Sequence, residues 1–186
     1  MSEGTAEERE LRTLMTQYQR GDAAALDVLI GRLAPPLLRY FSASGFGRSD
    51  PEDMLQDCWL RIHRSRHTYR ASEPLLPWIY TIARRARLDA YRKRRRLESR
   101  EVLVDIPPER AQPEARDSAE QEGIEQLIAG LPASQREVIV MLKMTGMSLE
   151  EVARATSSTV GAVKQRAHRA YTTLRRVLGK DRGNAE

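Results

Sequence analysis

Cysteine is nearly absent from this chain of 186 residues. The one thiol, Cys58, excludes an internal disulfide framework and fits a reducing compartment. Aromatic residues are scarce at 5%, so any core must be mostly aliphatic. No apolar run approaches the roughly 18 residues that a membrane span needs. The N-terminus is polar and acidic, unlike a secretion signal. These features lead us to expect a cytoplasmic protein without membrane insertion. No phosphate-cradling glycine loop, nucleophile elbow or convergent carboxylate pair is visible, so neither an enzyme nor a bound cofactor is expected. His63 and His67 sit one helical turn apart with Cys58 nearby. Cys58 points elsewhere on the same helix, which favours a solvent-facing histidine pair over a metal site.

Charge is abundant but unevenly placed. Lys and Arg number 31 against 26 acids, giving a net charge of +5 and a pI near 9.6. From Arg84 to Arg100 there are nine basic residues and two acids, Asp89 and Glu98. Trp78, Tyr80 and Tyr91 lie among or beside them, a combination suited to neutralising phosphates and stacking bases. A solvated basic helix is the plainer alternative. Residues 98–122 reverse the sign, with eight acids, three arginines and Pro107, Pro108 and Pro113. Poor in core-forming residues, they read as a flexible acidic linker.

The remaining chain reads as helices. Residues 1–10 are expected to fray. Leu11, Leu14, Met15 and Tyr18 form a first stripe, ending near Gly21. Asp22 can cap a second helix carrying Leu26, Leu29, Ile30 and Leu33, which Pro35-Pro36 is expected to interrupt. Gly45 and Gly47 should stop it. Asp50-Pro51 opens a third helix, with Leu55, Cys58, Trp59 and Ile62 inward and Glu52, Asp53, Gln56, Asp57 and Arg61 on other faces. Those acids fit either helix-dipole stabilisation or a docking surface. A loop from Ser65 to Pro77 precedes the long basic helix, whose inward face is Ile79, Ile82, Ala83 and Ala86.

Past the linker, Ile124 to Leu131 form a short helix, and Ser134 with Glu137 spells a capping box. Val138, Ile139, Met141 and Leu142 follow, with Gly146 as a stop. Ser148 and Glu151 spell a second capping box, ahead of a break at Ala155-Thr156-Ser157-Ser158. Another helix starts at Thr159, with Val163, Ala167, Ala170, Leu174 and Val177 as its apolar stripe. A short capped helix, a tight turn and a longer basic helix describe a helix-turn-helix sized for the major groove, or a plain helical hairpin. The unit spanning residues 123–178 is too small to be more than marginally stable alone.

The order of these segments carries a resemblance. EDMLQDCWLRIHR, PWIYTIARRARLDAYRKRRR, an acidic linker, LPASQREVIVML and SLEEVARATSSTVGAVKQRAHRAYTTLR together resemble the bacterial extracytoplasmic-function sigma factors, over about residues 8–180. A helix-turn-helix alone is weakly specific, but five motifs in order are strongly so. The resemblance implies an all-α chain: a first domain over 1–97, the linker over 98–122 and a second domain over 123–186. It implies a non-enzymatic promoter-specificity subunit with core RNA polymerase, promoter DNA and an anti-sigma factor as partners.

Carried across by position, Asp53, Gln56, Asp57 and Arg61 match the polymerase-docking helix. Tyr69, Trp78, Tyr80, Arg84, Arg85, Asp89, Arg92 and Lys93 match the loop and helix that recognise and melt the −10 element. Thr159, Lys164, Gln165, Arg166 and Arg169 match the start of the −35 reading helix. Arg85 departs from the Asn common after IAR, Ser157 from the usual turn Gly, and Ser158 from an apolar residue. A helix-turn-helix regulator acting without polymerase is the alternative reading.

Overall fold

The computed structural model describes residues 3–43, 50–101 and 127–182, and among them every regular element is helical. Four helices come first: α1 (Glu3–Gln19), α2 (Ala23–Ala43), α3 (Pro51–Ser65) and α4 (Leu75–Glu101), with a 3₁₀ turn at Arg66–Thr68. Three follow: α5 (Ala133–Lys143), α6 (Leu149–Ala155) and α7 (Val160–Arg182). Residues 127–129 are also helical. The expected stops at Gly45 and Gly47, and the linker beyond Glu101, lie outside the described residues.

Several helix ends form as their sequences dictate. Gly21 takes a positive φ of 97° after α1. Asp22 then accepts from the Ala25 N–H at 3.2 Å. Asp50 accepts from the Glu52 N–H at 2.8 Å, with Pro51 at the first helical position. Ser148 and Glu151 bond reciprocally, closing the capping box at α6. Gly146 takes a φ of 71° just before it.

Other expectations are corrected. Residues 3–10 are helical rather than frayed: Arg32 clamps Glu10, and the Leu75 N–H donates to Glu8 Oε1 at 2.6 Å. That bond satisfies a free donor at the start of α4, so α4 begins at Leu75 and Pro77 sits in its first turn. Pro35 and Pro36 do not interrupt α2. A proline inside a helix costs about 3 kcal/mol. Burial of Leu29, Leu33, Leu37, Tyr40 and Phe41 on both sides of the pair offsets that loss. α4 itself runs from Leu75 to Glu101.

The first S-x-x-E pattern, Ser134 to Glu137, fails differently. α5 starts at Ala133 with Pro132 at the cap and no side-chain cap bond. The Gln135 and Arg136 N–H groups instead donate to the Pro132 carbonyl, both at 2.9 Å. Glu137 is therefore one turn into the helix and buried. Five consecutive residues, Glu137 to Met141, are buried, so more than one face of α5 is covered. α7 packs on one side and α2 also contacts it. α6 lies between α7 and α4. Buried apolar residues from Leu11 to Ala170 form one continuous cluster. The small C-terminal unit thus completes its core against the first four helices.

Candidate nucleic-acid interface

Helical periodicity divides α4 into three faces. Ile79, Ile82 and Ala86 lie on one and are buried. Arg85, Asp89 and Arg92 lie on a second and are exposed, as is Lys93 beside them. Tyr80, Arg84 and Arg87 lie on the third, which meets the C-terminal half. There Arg87 pairs with Glu137 Oε1, and Arg84 Nε stands 3.2 Å from the same oxygen. The Tyr40 hydroxyl donates to it at 3.2 Å. Arg87 and Glu137 retain only 4% and 8% side-chain exposure.

The predicted −10 residues are therefore split. Tyr80 is expected on the surface but is 1% exposed, with its ring edge-on to Tyr40 at 5.3 Å. Burial raises its hydroxyl pKa well above the ordinary phenol value. Tyr69 is buried too, with its hydroxyl on the Glu73 carbonyl at 2.8 Å. Its ring lies 5.5 Å from that of half-buried Trp78. Gln19 holds the loop by donating to the Arg66 and Tyr69 carbonyls at 2.6 and 2.9 Å. The loop is a built platform rather than a free strand.

The docking candidates and the exposed face of α4 meet. Arg61 bridges Asp57 at 2.8 Å and Asp89 at 2.7 Å, and Arg92 lies 3.6 Å from Asp89. This surface network orients the side chains more than it stabilises the fold. Asp53 and Gln56 are exposed on α3. Leu60 continues their face and is 50% exposed, a residue that the charge-based reading passed over. An apolar side chain at helical spacing from exposed polar ones was the available signal. On the inner face Cys58 is fully buried, and its thiol is pushed up to about 12 by burial, so it is chemically quiet. His63 accepts the Tyr18 hydroxyl or donates to it across 2.5 Å at Nδ1, so one ring nitrogen is already engaged.

In the helix-turn-helix, Val163, Ala167 and Ala170 anchor α7. Val177, expected inward, is 39% exposed. Thr159 Oγ1 accepts from the Ala162 N–H at 3.2 Å and caps the helix. Lys164, Gln165 and Arg169 are exposed on its first turns. Arg166 is half-buried and donates to Ser158 Oγ at 3.3 Å. Ser158 also shares a 2.6 Å hydrogen bond with Thr156. Polar bonding thus replaces the apolar contact expected of that turn. Ser157 takes φ 51°, the left-handed geometry that usually falls to glycine.

Helical bundles of this order, with a capped helix-turn-helix behind a basic helix, define a transcription-initiation protein of the sigma type. The family comparisons agree. Residues 29–97 match the Sigma-70 region 2 family and residues 121–174 match Sigma-70, region 4. The RNA polymerase sigma factor CarQ of Myxococcus xanthus is 30% identical over 89% of this chain and 96% of its own length. The ECF sigma factor SigM of Mycobacterium tuberculosis is 30% identical over 95% of this chain and 88% of its own. Among solved structures, the sigma factor RpoE bound to the anti-sigma factor NepR from Bartonella quintana aligns with a TM-score of 0.65. It is 26% identical, over 79% of this chain and 92% of that one. CnrH in complex with the cytosolic domain of CnrY shares the fold at a TM-score of 0.70 and 24% identity, over 92% and 99%.

The chain belongs to the extracytoplasmic-function family of RNA polymerase sigma factors. Its family binds core polymerase and promoter DNA and directs initiation without catalysing a reaction of its own. No described helix is long and apolar enough to cross a membrane.

Proposed function

We propose that this sigma factor docks on core polymerase through Asp53, Gln56, Asp57, Leu60 and Arg61 of α3. It engages the −10 element with Trp78, Arg84, Arg85, Asp89, Arg92 and Lys93, while buried Tyr69 and Tyr80 support that surface from within. It reads the −35 duplex with Thr159, Lys164, Gln165, Arg166 and Arg169. The two working domains are residues 1–97 and 123–186, with 98–122 as the tether that polymerase sets to length.

The observation that carries this reading is the exposure of Lys164, Gln165 and Arg169 on the first turns of α7, a helix fixed from behind by Val163, Ala167 and Ala170. A capped helix start with cationic and amide side chains can donate to phosphates and to guanine or adenine edges in the major groove. Arg85, Arg92 and Lys93 supply phosphate contacts whose strength falls with salt. Half-buried Trp78, backed by the buried ring of Tyr69, offers a stacking face to an unpaired base. A cytoplasmic location follows from the partners and fits the single buried thiol. An anti-sigma partner is supported by the likeness to RpoE, solved with one.

Run-off transcription with purified core polymerase on a library of promoter fragments tests the reading. Discrete start sites are expected. Gln56→Ala with Asp57→Ala should abolish polymerase binding while helix content stays unchanged. No start site from folded chain, or full polymerase binding by the double variant, overturns it.

A further inference from the structure

The two promoter-facing surfaces are not equally available. Lys164, Gln165 and Arg169 stand in solvent, whereas the Tyr80, Arg84 and Arg87 stripe of α4 is covered by the chain's own C-terminal half. Arg87 was not among the residues carried over from the family. It is a guanidinium taken almost wholly out of water. Such a group persists only with an anion beside it. The anion here is Glu137, and Arg84 and Tyr40 converge on the same carboxylate. A second tie lies at the rim, where Arg154 Nη1 of α6 is 3.5 Å from Glu73 Oε2 in the loop before α4.

We propose that the free chain is self-closed. The Glu137 carboxylate occupies an anion site built by Arg84 and Arg87, and promoter phosphate takes that site once the halves separate. The proposal rests on the assignment of α4 to −10 DNA. Guanidinium groups bind carboxylate and phosphate with the same geometry, so one anion can replace the other without rebuilding the site. The sequence is compatible with separation as well as closure, because α4 and α5 are joined through the long, acid-rich stretch beyond Glu101 rather than by a short turn. Arg87 thereby becomes a phosphate-binding residue of the open form, and Glu137 an internal competitor of DNA.

The test uses the full chain without polymerase. Small-angle scattering reads closure, and a short fluorescein-labelled single strand of mixed sequence reads the anion site. Glu137→Gln removes the charge at nearly constant volume. It should enlarge the radius of gyration and tighten strand binding on the order of tenfold at low salt, because Arg84 and Arg87 lose the carboxylate charge that both of them contact. Glu150→Gln changes net charge equally at an exposed position and should shift affinity less than about twofold. Arg87→Gln should open the chain as well, yet gain no affinity, because it deletes the site along with the clasp. Circular dichroism confirms folding of each variant. If a buried variant does not fold, Arg154→Glu, which sets two carboxylates together at the exposed rim, should still enlarge the radius.

Unchanged scattering in folded Glu137→Gln, or in Arg154→Glu, overturns closure. An equal affinity gain in Arg87→Gln overturns the anion site. Loss of run-off transcription by the wild-type chain would sink the promoter assignment instead, and leaves the scattering result standing.

Discussion

Two stretches of this chain spell the same local word. Ser134 to Glu137 and Ser148 to Glu151 both read S-x-x-E ahead of apolar residues. At the second, the Glu151 N–H donates to Ser148 Oγ at 3.2 Å and the Ser148 N–H donates to Glu151 Oε2 at 2.8 Å. At the first, neither bond forms, and the glutamate reaches across the molecule to Arg84, Arg87 and Tyr40. The difference is where the helix starts. Pro132 takes the cap position of α5, two residues upstream of Ser134, so the first turn starts at Ala133. Glu137 then falls on the face turned toward the guanidinium groups. A local motif is thus a competition: the cap wins where solvent surrounds it, and the distant partner wins where burial leaves a charge needing company.

The sharpest way to break the comparison is to truncate the two glutamates. Removing one partner of a buried ion pair costs about 3–5 kcal/mol, so Glu137→Ala should lower global stability by that order. Glu151→Ala loses one exposed capping bond and should cost no more than about 1 kcal/mol. The serines should divide the same way on a smaller scale: about 1 kcal/mol for Ser148→Ala, and within about 0.5 kcal/mol of zero for exposed Ser134→Ala. Urea titrations of the four variants, with unchanged slopes, check the ranking. Equal losses for the two glutamates would mean that Glu137 behaves as a capping residue after all.

A further variant sharpens the turn that follows the successful box. Ser157 holds φ 51°, where a Cβ crowds the following carbonyl. Ser157→Gly relieves that crowding at the expense of a more flexible unfolded chain, and a net gain of up to about 1 kcal/mol is expected. Thermal unfolding should then shift upward by about 3 °C. A lower midpoint would show that the Ser157 side chain contributes more than its backbone costs.

These contrasts explain what was legible beforehand. The helix ends that were readable have local signals: Asp22, Asp50, Gly21, Gly146 and the Ser148 box act within a few residues. The α7 stripe through Val163, Ala167 and Ala170 was readable for the same reason. The fates of Tyr80 and Glu137 were not, because both depend on what a distant helix places against them. Pro35-Pro36 misled because propensity is a local cost, whereas the burial of Leu33 and Leu37 that offsets it is tertiary. Leu60 escaped because one exposed leucine means nothing until its neighbours are known to be exposed as well.

The smallest expected effect concerns a cap delivered from far away. Glu8 does for α4 what Ser148 does for α6, but from 67 residues upstream, by accepting the Leu75 N–H. Its setting differs from that of an exposed cap. Burial is the main cause that raises its carboxyl pKa, and the charge of Glu151 acts in the same direction; the Leu75 N–H, Arg12 and Arg154 oppose them without cancelling the rise. A carboxyl whose pKa is higher folded than unfolded binds protons on folding. Its stabilising share is complete below the ordinary carboxylate range and is lost as pH rises through the folded value. At neutral pH the ionised form is a net cost. Glu8→Gln keeps a carbonyl oxygen for Leu75 and discards the charge. It should match or exceed the wild-type chain near neutral pH, and this advantage should shrink as pH falls toward about 4. Urea midpoints measured across that interval decide it. A variant weaker by the same amount at every pH would mean that the ionised carboxylate's bond to Leu75 outweighs its burial.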